Sequence, residues 1–230
     1  MEVRWGERRK KLSLRWPYEK SAELVRDKAL SRPEFDPAVL AVWGQVQANM
    51  LLELTKAIEG RFGAAGQEMY RQAFSKVGRD VATQMLDGVE LPQDLSAIEL
   101  VSLFFTWMNE VPRASIEESS IDSPDECSFH IHYCPYEAYF GKFDCRINRY
   151  LFEGMLEVAH ERLGLDGCRY DMLFDYSVQQ GRASCHFRIS RQLPGAPDSW
   201  REYSDLLQRN ALERARAEPL AREGDAASGG

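Results

Sequence analysis

The chain has 230 residues, 44% hydrophobic and 11% aromatic, which suits one packed domain and is too apolar for a disordered protein. A formal charge of -7 excludes a general nucleic-acid binder, whose affinity needs a basic surface. No apolar run approaches the ~18 residues that cross a bilayer, and the basic start MEVRWGERRKKLSLRW lacks the apolar stretch of a secretory signal, so a cytoplasmic chain with no membrane partner is expected.

Residues 1–17 have no clear periodicity, and the run Arg8, Arg9, Lys10, Lys11 reads as a solvated arm. A short helical pattern covers Glu19 to about Leu30, and Pro33 and Pro37 then break the chain. Asp36-Pro37 reads as an N-cap followed by proline at the first helical position. In the helix that follows, Trp43, Val46, Met50, Leu54 and Ile58 share a stripe with a period near 3.6, and Gly60 and Gly63 end it. A second long helix places Tyr70, Phe74, Val77, Val81 and Met85 on one face and stops at Gly88. A third begins at Ser96, with Glu99 completing a capping box. It runs through Leu103, Phe104, Phe105, Trp107 and Met108 to Pro112, and being apolar nearly all round it belongs in the core.

The pattern then changes to period two. Residues 113–121 and 126–134 alternate around the turn Asp122-Ser-Pro-Asp125, which gives a β-hairpin. After Pro135 comes a helix over about 143–163. A second hairpin follows from 169–178 and 183–190, joined at Gln180-Gly181. Helices, hairpin, helix, hairpin predicts an α+β fold, with a mostly antiparallel four-stranded sheet and helices on one face. A single domain over 37–192 is expected, preceded by the arm and short helix of 1–36. A helix over 198–218 follows, capped by Ser199 and Glu202 and carrying Trp200 and Tyr203, and then a disordered tail over 219–230. The last helix offers a surface for a homodimer, or packs back onto the domain.

The residues with chemical potential concentrate between Cys127 and His186. Five cysteines is an odd number, at no disulfide-framework spacing, so they read as thiols. Along 128–134 strict alternation sends Phe129, Ile131 and Tyr133 one way and His130, His132 and Cys134 the other. Cys134 stands at the end of a strand, and its same-face neighbour His132 is the candidate base for a nucleophilic thiol. The competing reading makes Cys134 a small buried apolar residue. Cys145 and Asn148 lie one helical turn apart, and Cys185 and His186 point to opposite faces of the last strand, in one sense or the other. A metal, zinc or iron, would draw on Cys134, Cys145 and Cys185, but no CxxC or HxxxH pair supports it and the sequence requires no cofactor. His130, His186, Tyr136 and Trp107 are the substrate-binding candidates. Asp171 and Asp175, on one face of the third strand, could orient a base or simply face solvent.

The stretch HYCPYEAYFGKFDCRINRYLFEGML, with GRASCHFRI about forty residues after Cys145, resembles the L-2-amino-thiazoline-4-carboxylic acid hydrolase family over roughly residues 50–190. The shared pattern is Cys134-Pro135, Cys145 opening a helix, and Gly181 with Cys185 and Phe187. The resemblance implies hydrolytic opening of a small cyclic substrate at Cys134, Cys145 and Cys185; with it, His132 or His186 would move protons, and Asn148 and Cys145 would orient the substrate. Asn148 stands where that family leads one to expect an aspartate. The closing strand also resembles the 4-vinyl-reductase (V4R) small-molecule-binding domains, which implies a non-catalytic sensor instead.

Overall fold

Two hairpins and the pairing between them account for the sheet. The computed structural model describes residues 2–136, 140, 144–163, 169–177, 181–193 and 195–217. Strands β1 (Ile116–Ser123) and β2 (Glu126–Tyr133) form the first hairpin, and β3 (Arg169–Tyr176) pairs with β4 (Cys185–Gln192). β2 and β4 then pair antiparallel, giving the order β1-β2-β4-β3. The fold is α+β with an all-antiparallel sheet, as the period-two runs predict. Gln180 of the second turn, Cys168 and the tail 219–230 lie outside the described residues.

Alternation sets the two faces of the sheet. Cys127, Phe129, Met172, Phe187 and Ile189 are buried against the helices, and Phe129 stacks on Phe187 with centroids 4.8 Å apart. Helix α4 (Ala97–Glu110) lies on that face, with Phe105 against Phe129, Phe152 and Phe187. Its capping box is formed in both directions: Glu99 N–H donates to Ser96 Oγ, and Ser96 N–H donates to Glu99 Oε2 at 2.8 Å. Helix α5 (Arg146–Arg162) reaches this layer through Phe152.

The predicted pair of helices before α4 is one long run, α3 (Ala38–Leu86), broken only at Gly63, whose φ of 58° with ψ of -134° few L residues can adopt. Asp36 Oδ1 accepts from Ala38 N–H at 2.9 Å, and Pro37 stands at the N-cap rather than inside the first turn. The stripe Trp43, Val46, Met50 and Leu54 faces solvent, while Ala48, Leu52, Thr55 and Glu59 on the other side are buried. The reason is composition: this stretch is apolar on both sides, so periodicity marks a stripe without saying which side the domain covers.

The N-terminal arm is solvated only in part: Lys10 and Lys11 are exposed, but Arg8 and Arg9 dock on the domain. Helix α1 (Glu2–Arg9) buries Trp5, whose Nε1–H donates to Ser102 Oγ at 3.3 Å. Arg8 pairs with Asp94 at 2.6 Å, and Arg9 lies 3.7 Å from Glu117. Acidic partners on the domain were the missing information. Helix α2 (Glu19–Val25) continues as a π-helical turn over Arg26–Leu30. At the other end, helix α6 (Ser199–Ala217) packs back on its own domain. Trp200 is buried, with the Arg149 guanidinium 4.1 Å from its ring centroid and 4.9 Å from that of Tyr203. Asp198, not Ser199, accepts from Arg201 N–H at 2.9 Å, and the Ser199 hydroxyl donates to buried Asp171. Asp171 is thus neither a solvent-facing residue nor one that orients a base.

Candidate active site: a thiol-lined cavity at Arg113

A small cavity of about 40 Å³ opens where the sheet meets the first turn of α5. Three cysteines reach it from three elements. The β2–β4 register sets Cys185 opposite Ile131, on the face of Phe129 and Phe187, which resolves its direction toward the helices. Cys145 stands at the N-cap of α5, and Asn148, Arg149 and Phe152 follow at three, four and seven residues, so one helix face presents all four. Cys134 arrives by a less regular route. Ile116 pairs with Tyr133 but Glu117 pairs with Ile131, so His132 is the extra residue of a β-bulge. The bulge inverts the alternation: Tyr133 turns outward and Cys134, 9% exposed, turns in.

The face reading of His130, His132 and Cys134 is therefore corrected. His130, His132 and His186 share the outer face of the sheet, with ring centroids 6.4 Å apart for the first pair and 4.3 Å for His130 and His186. His132 Nε2 lies 3.4 Å from Glu118, and His186 Nδ1 lies 2.7 Å from Asp175. Burial, then the neighbouring imidazoles, hold the His130 pKa below its ordinary value. None of the three lines the cavity, so His132 is not placed to take a proton from Cys134. Trp107 packs partly buried against the main core and is also outside the cavity. Tyr136 sits beside it through Arg113. Among the described residues no group of three or more His, Cys, Asp or Glu side chains is placed to hold a metal ion, Cys134, Cys145 and Cys185 included.

Arg113, which the sequence reading passed over, organises the electrostatics. Its Nη2 lies 3.6 Å from Cys134 Sγ. The Asn148 amide, assigned with its oxygen toward the guanidinium, accepts from both Nη atoms at 3.3 Å. The guanidinium also lies 5.2 Å from the Phe152 ring and 5.4 Å from that of Tyr136, within cation–π reach. Among the described residues no carboxylate lies within ion-pair distance of it. Arg149, its neighbour in the cavity wall, is by contrast fully engaged, donating to Ser204 Oγ, Met172 O and Trp200 O at 2.9–3.2 Å. Ala114 directly after Arg113 holds a φ of 49°, a left-handed conformation costing about 1 kcal/mol outside glycine, which turns the chain from α4 into β1. Burial pushes the Cys145 thiol up to about 12, against the opposing pull of Arg113, so Cys145 stays protonated at neutral pH.

Asn109 and Ser115 complete the polar lining, and behind Asn109 lies a second residue that the sequence reading missed. Asn109 Nδ2 donates to Glu117 Oε2 at 2.6 Å, and the Glu117 side chain is wholly buried. Burial raises its carboxyl from 4.5 to about 7, while hydrogen bonds from Thr106 and Asn109 and the charge of Arg9 pull the other way. A carboxyl raised on folding adds stability that is complete below pH 4.5 and is lost as pH rises through 7. Glu117→Gln should therefore gain on the native protein as pH rises, by up to roughly 3 kcal/mol at pH 8 at ~1.4 kcal/mol per pKa unit. Melting curves of both proteins at pH 5 and pH 8 test this, and an equal difference at the two pH values would refute it.

A second, larger hollow of about 590 Å³ lies elsewhere, between the segment Trp16–Leu30 and the helices, and is lined by apolar side chains such as Tyr18, Leu40, Val77 and Leu151. It holds none of the cysteines. No helix among the described residues is long and apolar enough to cross a membrane.

No family model matches the chain. An uncharacterized protein of Archaeoglobus fulgidus is 36% identical over 200 residues, spanning 86% of this chain and 88% of that one. Among solved structures, a trafficking protein particle complex subunit 3 from Naegleria fowleri, covalently bound to palmitic acid, superposes with a TM-score of 0.44 at 10% identity, covering 64% of this chain and 96% of the other. A likeness at that level bears on neither the fold nor the site.

Proposed function

The chain belongs to the family of the Archaeoglobus fulgidus protein, and from the site it presents we propose that the domain binds a small carboxylate, or a similar oxyanion, at Arg113 inside the thiol-lined cavity. One observation supports this above the others. A guanidinium that borders a cavity with no carboxylate among the described residues within ion-pair distance leaves a half-buried positive charge facing only a cysteine sulfur and an amide oxygen. Such a charge is costly, and an entering anion relieves the cost. Planar bidentate recognition of a carboxylate is what arginine does best. At about 10–15 Å³ for each water-sized group, the cavity takes about three of them, enough for a carboxylate head. A bulkier ligand widens it by displacing Phe174 or Tyr136, both only partly buried.

This reading favours the non-catalytic small-molecule binder implied by the V4R resemblance over the hydrolase. Binding of a panel of small carboxylates, 2-amino-thiazoline-4-carboxylate among them, is the test. Arg113→Met should weaken binding roughly 10–100-fold, the worth of a charge-assisted hydrogen-bond pair. Arg113→Lys should restore only part of it, since lysine lacks the fork. Equal affinity in Arg113→Met and the native protein would sink the reading.

Hydrolysis of a cyclic thiazoline-like substrate is the second reading. What favours it is that Cys134, Cys145, Asn148 and Cys185 meet in one cavity, as the hydrolase resemblance implies. What it lacks is a histidine in that cavity, so the proton of Cys134 needs another acceptor. Product formation by the native protein, abolished in Cys134→Ser with ligand binding kept, would select this reading over simple binding.

A further inference from the structure

The first half of α3 leaves a large apolar face uncovered. Val39, Val42, Trp43, Val46, Met50 and Leu54 are each 49–65% exposed, on a helix whose opposite side is already packed. From 37 to 52 the sequence PAVLAVWGQVQANMLL contains no charged residue, in a chain that is 28% charged overall. We propose that this face is where two copies of the chain associate, helix α3 against helix α3.

Three features favour a second copy over other occupants. The first is charge. Two copies of a chain carrying -7 repel each other over most of their surfaces, and the charge-free run is where that repulsion is least. The second is area. The exposed parts of the six side chains come to on the order of 700 Å², near the ~800 Å² per partner of a standard-size interface, whereas large exposed apolar patches are uncommon on monomers. The third is shape. A two-fold contact needs a surface complementary to itself. Here Trp43 projects from the ridge, and Leu40, three residues earlier, forms part of the wall of the 590 Å³ apolar hollow, so ridge and hollow adjoin on one surface. Helix α6, the dimer surface suggested by Trp200 and Tyr203, is by contrast occupied by Arg149.

The inference does not depend on what the cavity binds, and its test does not use a ligand. Light scattering coupled to gel filtration on the full chain should give twice the 26.4 kDa chain mass. Trp43→Glu with Met50→Glu should weaken association by ~100-fold or more, as loss of a central aromatic anchor does. Leu206→Glu, at an exposed position of α6, should leave the dimer intact. Circular dichroism melts show whether each variant is folded, which they should be, since all three side chains are exposed. A native monomer overturns the proposal, and so does a dimer that survives Trp43→Glu with Met50→Glu. A native monomer that sediments with phosphatidylcholine vesicles, while the doubly substituted chain does not, overturns it in favour of a lipid surface.

Discussion

Gly154→Ala is expected to destabilise the protein by roughly 3 kcal/mol or more, at or beyond the upper end of what overpacking a core usually costs. A Cβ at Gly154 would fall well inside 3.0 Å of the Ser75 carbonyl oxygen. Facing it, a Cβ at Gly78 would meet the Leu151 carbonyl oxygen just as closely. Both obstacles are backbone rather than the end of a flexible side chain, so α3 and α5 must move apart to make room. Neither glycine has positive φ, so the cost is contact and not conformation. For a chain of this length the melting temperature should fall by about 6–12 °C. Urea titration measures it directly, and a midpoint shift worth less than ~0.5 kcal/mol would show that the helices are not held this close. The effect should reach the cavity as well, because α5 is what brings Cys145, Asn148 and Phe152 to Arg113.

These two glycines also mark where the sequence stops being legible. Glycines that end elements could be read, and Gly63 indeed breaks α3 where the pattern puts a break. A glycine inside a helix, needed because another helix lies against it, has no local signature. The same division runs through the rest of the fold. The capping box at Ser96, the two hairpins and the helix between them depend on neighbours in sequence, and they are present as expected. The docking of α1 depends on Asp94, Glu99 and Glu117, the nearest of them 86 residues from its arginine partner, and a run of arginines alone cannot announce that.

At the site, strand alternation assigned Cys134 to the histidine face because nothing in ECSFHIHYC signals that His132 is an extra residue. The bulge exists only in the pairing of Tyr133 with Ile116. Cys145 and Asn148 were foreseeable as a pair from helical spacing, while the face of Cys185 stayed open until its pairing with Ile131 set it, and the cavity unites them with Cys134. Arg113 was not foreseeable. It stands at the link between α4 and β1, where the positive φ of Ala114 sets the direction of the chain, and alanine gives no hint of that conformation.

The largest loss of all is expected at Arg146. Its side chain is fully buried at the start of α5 and pairs with Glu59, itself buried. Glu59 also accepts from Gln67 at 2.8 Å and from the Tyr70 hydroxyl at 2.5 Å. Arg146 in turn donates to Tyr70 Oη at 3.2–3.3 Å and lies 3.6 Å from Asp144, which Arg214 of α6 holds at 2.7 Å. Glu59 precedes the Gly63 break while Gln67 and Tyr70 follow it, so this one charge joins both arms of α3, the start of α5 and, through Asp144, α6. Arg146→Met leaves the Glu59 carboxylate buried without its cation, and removing one partner of such a pair typically costs 3–5 kcal/mol. Replacing both, with Glu59→Leu beside Arg146→Met, should recover much of that loss, since two apolar groups owe no desolvation. Denaturant titration of the two single variants and the double variant gives the coupling, and strictly additive losses would mean that the pair does not act as a unit. Because Cys145 adjoins Arg146 in sequence and caps the same helix, the single variant should also expose the Cys145 thiol to a titrating reagent faster than in the native protein. Unchanged thiol kinetics in a destabilised Arg146→Met protein would mean that the buried charge holds the helices together without shaping the cavity.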